Sequence, residues 1–345
     1  MSEFRVSRRT LGAAIATTTA LTLAARSSVS AQSASRAADY QNGIQEDGSW
    51  RFRDDRGYDI HLPEPPTHIV SSIESGAALL DYGIEVLGVV GTFADATGWR
   101  DEGAGDLDEN TVDYLGEWDN IDLEAILALE ADLYVDVTYD ATRIGSYSVS
   151  DSLADLMEQT VPTLAIAVGG GVKMPTPLER FEELAQALGV ADLPQKMVDA
   201  RTSFEGAEVA AREAFAEKSE LTVALVAVGH TPGEMTFWDS TEFADTVYFH
   251  ELGLNFLEIE PNQGYTLGIS IEEAGNFDCD VMLNRIEPED LFAEINEYPT
   301  LTLLPVIEAE QVYKWTTVYV PTYKGFLPVL EALTENMLVS EKVTG

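Results

Sequence analysis

The chain is short of cysteine, lysine and histidine. Cys279 is the one cysteine in 345 residues. No disulfide can close within the chain, so its stability has to come from buried apolar surface. Beside the apolar run Asp280–Asn284, Cys279 itself reads as a small buried residue. Lysine is nearly as rare, with six against fourteen arginines, and both face 60 Asp and Glu for a formal net charge of −40. Nucleic acid and anionic membranes are held by Lys and Arg, so this charge argues against both as partners. The four histidines, His61, His68, His230 and His250, include no His-rich loop, which disfavours direct metal coordination. Absent too are a Gly-x-Ser-x-Gly elbow, a phosphate loop and a dinucleotide fingerprint. A hydrolytic reading would rest on His230 as base, with Asp239 or Glu234 nearby.

What is present begins with Ser7-Arg8-Arg9-Thr10-Leu11, a twin-arginine pattern. It precedes a weakly apolar run, Leu11–Ala25, and Val29-Ser30-Ala31 offers small residues for cleavage after Ala31. Residues 1–31 therefore read as a twin-arginine signal peptide, and residues 32–49 as a flexible leader. The apolar run is too short, and too rich in Thr and Ala, to span a bilayer well. An ordinary amphipathic N-terminal helix is the alternative. The signal carries four Arg and one Glu, so the 314 residues beyond it carry about −43. Dense carboxylate with little Lys fits a salty habitat, where ions screen self-repulsion; a merely acidic secreted protein is the other reading. No cysteine lies near the cleavage site, so the usual lipid attachment point is missing. A periplasmic or extracellular location is expected.

Two stretches repeat each other 148 positions apart. Ile121-Asp122-Leu123-Glu124 is followed by Asp132-Leu133-Tyr134-Val135, and Ile269-Ser270-Ile271-Glu272 by Asp280-Val281-Met282-Leu283. Glu124 pairs with Glu272 and Asp132 with Asp280. Each copy reads as a short amphipathic helix, an acidic turn and an apolar strand. One such unit per half predicts two similar lobes, with a cleft between them where a ligand could sit. Strands alternating with helices elsewhere predict α/β lobes with mostly parallel, Rossmann-like sheets. The first lobe is expected over 50–175, opening with an edge hairpin at Trp50–His61. A helical linker spans 176–218. It holds a helix capped by Thr176, Pro177 and Glu179, then a rod from about Asp192 to Lys218. Met197, Ala200, Phe204, Ala207, Ala211 and Phe215 form one apolar stripe along that rod. The second lobe is expected over 219–345, with a terminal helix from Phe326.

The order of motifs resembles the substrate-binding proteins of ABC importers that take up iron–siderophore complexes, cobalamin or haem. The resemblance covers about residues 50–340. It is carried by Asp55-Arg56-Gly57 through Val70, by Ala77-Leu79-Leu80-Tyr82-Gly83 with Val89-Gly91, and by Leu123-Glu124-Ala125-Ile126 through Asp132-Leu133. Ser270-Ile271-Glu272 through Val281, Tyr298-Pro299 through Val306, and Gln311-Val312-Tyr313 complete it. The resemblance implies two lobes joined by a single long helix away from the cleft, with small closure on binding. It implies no enzyme activity and no cofactor, and a metal-chelate ligand, a ferric siderophore being the broadest class. It also implies that Glu124 and Glu272 dock on arginines of the permease subunits. Stabilising a helix N-terminus is the other role open to the two Glu. The chain is expected to act as a monomer.

Ligands of open α/β sheets sit beyond the C-terminal ends of strands. That rule gives Ser72, Phe93 and Tyr139 in the first lobe, and Trp238, Arg285 and Trp315 in the second. Tyr265 is added as a further aromatic wall. Aromatics pack on the apolar parts of a chelate, and Arg donates paired hydrogen bonds to its oxygens. Each aromatic is equally at home in a core, and Arg285 could serve in a structural ion pair. Arg100 and Arg143 are weaker candidates, in loops. The export reading makes a test: an Arg8→Lys, Arg9→Lys double variant should remain in the cytoplasm, whereas wild-type secreted protein should begin at Gln32 by N-terminal sequencing. Normal export of the double variant would remove the twin-arginine route.

Overall fold

A computed structural model describes residues 41–94, 100–117, 119–141, 149–228, 232–285 and 292–345. The signal peptide, His230 and Arg143 lie outside these residues. The hairpin expected at Trp50–His61 is present and larger than expected. β1 (Gly43–Ile44), β2 (Trp50–Arg53) and β3 (Asp59–Leu62) form an antiparallel three-stranded sheet. β1 falls in the segment expected to be a flexible leader, and its pairing with Trp50 and Arg51 corrects that expectation. Alternation in β2 turns Trp50 and Phe52 inward, where both are fully buried. The Trp50 indole N–H donates to the Ala187 carbonyl at 2.8 Å, which satisfies its one polar atom. The turn is fastened by Arg56, whose buried guanidinium donates to Asp54 at 2.6 Å and to the Thr163 carbonyl at 3.0 Å.

The first lobe runs β4 (Ile69–Ser72), α1 (Ile73–Asp81), β5 (Gly88–Val90), β6 (Asp113–Tyr114), α2 (Leu123–Ala128), β7 (Leu133–Thr138), α3 (Asp151–Thr160) and β8 (Thr163–Ala167). Its five strands are all parallel, in the order β6-β5-β4-β7-β8. Successive residues of β7 go to opposite faces: Leu133 and Val135 join one core, Tyr134 another. A parallel sheet has to be covered on both faces, and this one is. Gly83 ends α1 as anticipated. It adopts φ +87, and its N–H reaches back to the Leu80 carbonyl at 2.9 Å.

α4 (Thr176–Ala187) and α5 (Gln195–Glu217) follow. Pro175, not Thr176, holds the cap position of α4, and no side chain caps it. The expected capping box is therefore absent. α5 has 23 residues, about 35 Å of helix. Met197 joins the first-lobe core, whereas Ala200, Phe204, Ala211, Ala214 and Phe215 join a core of the second lobe. One stripe thus serves both.

The second lobe comprises β9 (Val223–Val228), β10 (Glu234–Trp238), α6 (Ala244–Glu251), β11 (Thr266–Ser270), β12 (Val281–Asn284), α7 (Ala293–Asn296), α8 (Pro305–Glu308), β13 (Val312–Lys314) and α9 (Tyr323–Val339). The strand order is β11-β10-β9-β12-β13. β9, β12 and β13 are parallel, but β10 is antiparallel to both β9 and β11. Only residues 229–233 separate β9 from β10. A parallel crossover needs a dozen or more, so a hairpin is the one available solution. The second sheet is therefore mixed. The second copy of the repeat also departs from expectation: Ile269-Ser270 close β11, and Ile271–Asn276 form a 3₁₀ turn instead of an α-helix. The strand expected at Phe256–Ile259 is reduced to one bridge between Phe256 and Val223. α9 starts at Tyr323, ahead of Phe326, because the Thr322 hydroxyl accepts from Gly325 N–H at 3.1 Å. Cys279 is 2% exposed in the second-lobe core, and burial, then the neighbouring Asp280 and Asp278, push its thiol up to about 12.

The seam between the lobes is polar. Buried Asp81, at the end of α1, accepts from Lys324 at 2.7 Å and from the Thr322 hydroxyl at 2.9 Å, with Lys196 at 3.4 Å. Lys314 pairs with Glu102, and Lys173 with Glu251 at 2.6 Å. Main chain also crosses: Met174 N–H donates to Ala244 O at 3.1 Å and Ala244 N–H to Val168 O at 3.2 Å.

The repeated aspartates have the same task in each sheet. Asp132 accepts from the N–H groups of Thr67 (2.8 Å) and His68 (3.0 Å), and its own N–H donates to His68 O. Asp280 accepts from Thr222 N–H at 2.9 Å, and its own N–H donates to Thr222 O at 2.8 Å. Asp280 also accepts from Val343 and Thr344 N–H at the C-terminus. Burial alone would raise the Asp280 carboxyl, but the donors from Thr222, Thr344 and Val343 outweigh it and hold it down at about 2. A carboxylate lowered in the folded state stabilises above the ordinary Asp range, and that contribution fades as pH falls toward 2. Asp280→Ala should therefore cost about 2–3 kcal/mol at pH 7. Urea melts should show the gap to wild type narrowing from pH 4 to pH 2. A gap independent of pH would mean that packing, not the charge, supplies the loss.

Candidate ligand-binding cleft

Strand ends from both lobes enclose a cleft of about 460 Å³, counting its open mouth. Val137 and Tyr139 from the end of β7, Val168 beyond β8 and Glu74 at the start of α1 line the first-lobe side. Phe243 and Asp245 at the start of α6, Trp315 beyond β13, and Thr317, Val318, Tyr319 and Pro321 before α9 line the other.

The lining rings Tyr139, Phe243 and Trp315 belong to a continuous set that extends past the cleft to Trp238 and Tyr265. Phe243 sits at its centre, with centroids 5.7 Å from Trp238, 5.6 Å from Tyr265, 5.6 Å from Trp315 and 6.3 Å from Tyr139. Trp238 also meets Tyr265 at 5.7 Å and Trp315 at 5.8 Å. Most of these contacts are tilted or edge-to-face, the arrangement that ring quadrupoles favour. The Arg285 guanidinium lies 5.2 Å over the Trp238 ring, and its Nε donates to the Thr317 hydroxyl at 3.2 Å.

The cleft is acidic. Asp245 is 2% exposed, and its Oδ2 accepts from the Trp315 indole N–H at 3.0 Å. Burial pushes its carboxyl up to about 6, against the lowering effect of the Trp315 and backbone hydrogen bonds. Glu74 is pushed to about 7, first by burial and then by the charges of Asp101 and Asp136. The Tyr319 phenol is raised well above its ordinary range by burial, then by Asp245 and Tyr139, so it stays neutral.

Of the residues chosen from strand ends and turns, Tyr139 and Trp315 line the cleft, and Trp238 and Tyr265 pack on its rings without lining it. Arg285 joins them through Trp238 and Thr317. Ser72 and Phe93 do not line the cleft. Ser72 is fully buried, and its hydroxyl donates to Ser75 at 2.9 Å. Phe93 packs in the first-lobe core beneath Arg100, whose guanidinium lies 5.6 Å from its ring. β5 ends at Val90, as expected, but Phe93, three residues on, packs into the first-lobe core. Glu74, Phe243, Asp245 and Tyr319 were missed. Glu74 looked like an ordinary first-turn helix acid, and Phe243 and Asp245 begin a helix that no strand immediately precedes. His61, His68 and His250 lie elsewhere, exposed. Among the described residues no group of three or more His, Cys, Asp or Glu is placed to hold a metal ion.

Glu124 and Glu272 are both exposed, each second in its helical turn. The cap of α2 is supplied by Asp122, which accepts from Ala125 N–H at 2.9 Å. Glu272 accepts from the Ser270 hydroxyl, and this bond, with one from its own N–H, lowers its carboxyl.

No family model matches the chain, and no curated protein matches it closely. Solved structures do. DesE, a ferric-siderophore receptor protein from Streptomyces coelicolor, is 30% identical with a TM-score of 0.78, over 86% of this chain and 100% of that one. The siderophore periplasmic binding protein of the fuscachelin gene cluster of Thermobifida fusca is 21% identical, TM-score 0.56, over 80% and 97%. PiuA of Streptococcus pneumoniae, an iron uptake ABC transporter substrate-binding protein, is 16% identical, TM-score 0.57, over 82% and 96%. The latter two share the fold; the first, at its identity and full coverage, establishes the relationship. This chain belongs to the siderophore-type substrate-binding proteins of ABC importers.

Proposed function

We propose that the protein captures a ferric siderophore in the inter-lobe cleft and delivers it to an ABC permease. The observation that carries this reading is the wall of Tyr139, Phe243 and Trp315, continued by the rings of Trp238 and Tyr265 that pack on it, at a cleft shared by both lobes. Such a wall offers a wide apolar surface to the organic shell of a chelate, and Arg285 can donate to its oxygens. Iron arrives as cargo inside the chelate, and no cofactor of the protein's own is required. Export by the twin-arginine route would place the protein outside the cytoplasm. No helix among the described residues is long and apolar enough to cross a membrane. The protein acts as a monomer in this scheme.

Binding should be visible as a change in tryptophan emission that saturates at one ferric siderophore per chain. Trp238→Ala and Arg285→Ala should each weaken binding at least threefold, about 0.65 kcal/mol. If neither does, the wall is not the ligand surface. Cobalamin or haem saturating the same signal while siderophores do not would move the ligand to that class.

Glu124 and Glu272 supply the docking contacts. Two separated charge pairs fix orientation and speed encounter more than they add affinity. The exposure of Glu124, together with a helix cap already made by Asp122, supports docking over capping for that residue. A Glu124→Ala, Glu272→Ala double variant should abolish transport by a reconstituted importer, with ligand affinity and Tm nearly unchanged. Normal transport, or a loss of Tm in step with transport, would make the two residues structural.

A further inference from the structure

One stretch of the second lobe is built into the first. Residues 315–322, between β13 and α9, belong to no helix or strand. Trp315 and Tyr323, at its two ends, join a second-lobe core, whereas Val320 is 6% exposed in the first-lobe core. Trp315, Thr317, Val318, Tyr319 and Pro321 line the cleft, five of the eleven described residues that do so. The stretch is thus a strap, with the cleft on one side and the first lobe on the other. Asp81 of the first lobe is not among the lining residues. We infer that Asp81 is nevertheless a positioning residue for the ligand site, because it holds the strap, and with it nearly half of the cleft lining, in place. The inference rests on the reading of the cleft as the ligand site.

A segment outside helix and strand has no ladder of its own, so its place is set by what its side chains meet. On the first-lobe side the strap lies against the turn Glu102–Ala104 and Gly105. A Cβ on Gly103 would stand 2.7 Å from Val318 Cγ1, and one on Gly105 2.7 Å from Val320 Cγ2. An approach that close leaves no room for a side chain, so the two glycines let the strap seat itself. Lys314, just before the strap, pairs with Glu102, but this pair is partly exposed and is the weaker anchor. At the far end the Thr322 hydroxyl has two tasks. It accepts from Gly325 N–H at 3.1 Å, which starts α9, and it donates to Asp81 Oδ2 at 2.9 Å. Asp81 Oδ1 accepts from Lys324 at 2.7 Å and from Lys196 of α5 at 3.4 Å. Asp81 is 3% exposed. A hydrogen bond to a carboxylate is stronger than one between neutral groups, and a buried carboxylate has no water to take its partners' place. Asp81 therefore ties the end of the strap to the first lobe and to the rod α5 at once.

Hydrogen exchange on the full, ligand-free chain reads the strap directly. In Asp81→Ala the amides of residues 315–325 should exchange about tenfold faster than in wild type, the scale of a lost hydrogen bond to a charged group, with the strand starts at Asp132 and Asp280 unchanged. Asp280→Ala, which also costs stability, should leave strap exchange as in wild type. Thr322→Val should loosen the strap as Asp81→Ala does, and Thr322→Ser, which keeps the hydroxyl, should not. Thr322→Val also removes the cap of α9, whereas Asp81→Ala leaves it, so the two together separate anchoring from capping. A linear ferric trihydroxamate, titrated by tryptophan emission, should bind Asp81→Ala about tenfold more weakly than wild type, and Asp280→Ala equally well. Unchanged strap exchange in Asp81→Ala, exchange sped equally across both lobes, or unchanged affinity beside a loosened strap overturns the inference. If wild type with an intact melting transition does not bind the trihydroxamate, the siderophore reading fails instead, and the exchange pattern alone decides whether Asp81 holds the strap. If Asp81→Ala does not fold, Thr322→Val against Thr322→Ser decides by the same two readouts.

Discussion

An aspartate at the foot of one strand clasps the residue that opens its neighbour, and it does so once in each sheet. Asp132 binds the backbone at Thr67 and His68, just ahead of β4, and Asp280 binds that at Thr222, just ahead of β9. Each carboxylate is paired with a main-chain bond running the opposite way, from the same aspartate to His68 or Thr222. A parallel pair of strands has no hairpin to set its register. These clasps supply that lock at the end of each sheet far from the cleft. With the feet aligned, the opposite ends of β4 and β7 arrive together, and they bring Glu74, Val137 and Tyr139 to the cleft. The acidity of the chain is thus partly architectural: some of its carboxylates take the place of missing connections.

The seam between the lobes uses the opposite charge sparingly. Of six lysines, Lys173, Lys314 and Lys324 each reach from one lobe to a carboxylate of the other. Exposed pairs of this kind contribute little each, about 0–1 kcal/mol. Asp81 differs because it is buried, so that removing its partners would strand a charge away from water. Together with α5, whose stripe enters cores of both lobes, the seam fits a molecule whose lobes move little against each other. Phe243, at the centre of the set of rings, lies beside Ala244, whose N–H and carbonyl both bond to first-lobe main chain at Val168 and Met174.

The fold was legible where one residue type had one reading. The parallel first sheet followed from alternating strands and helices, and the long helix from apolar positions three and four apart. The Asp132–Asp280 match pointed to a duplicated unit before its hydrogen bonds were visible. What failed to show was local competition. Thr236 and Phe237 sit in a strand because five residues cannot cross a sheet, a constraint of distance that composition does not carry. The terminal helix was expected from Phe326, yet the Thr322 hydroxyl starts it at Tyr323. At the cleft, rings were legible because aromatics after strands are few. Glu74 and Asp245 were not, because acids at helix starts are ordinary in a chain with 60 of them. They stand out only because both line one cleft, from two lobes and 171 residues apart in sequence.

Cys279 has a practical consequence. Its thiol is buried, held almost wholly protonated, and without a second cysteine in the chain. A reagent that needs a thiolate therefore meets a silent background in the native protein. Any cysteine introduced on the surface becomes the single reactive handle. Two of them, one per lobe, would carry a dye pair without removing Cys279. The distance across the cleft could then be followed by energy transfer in the unaltered core.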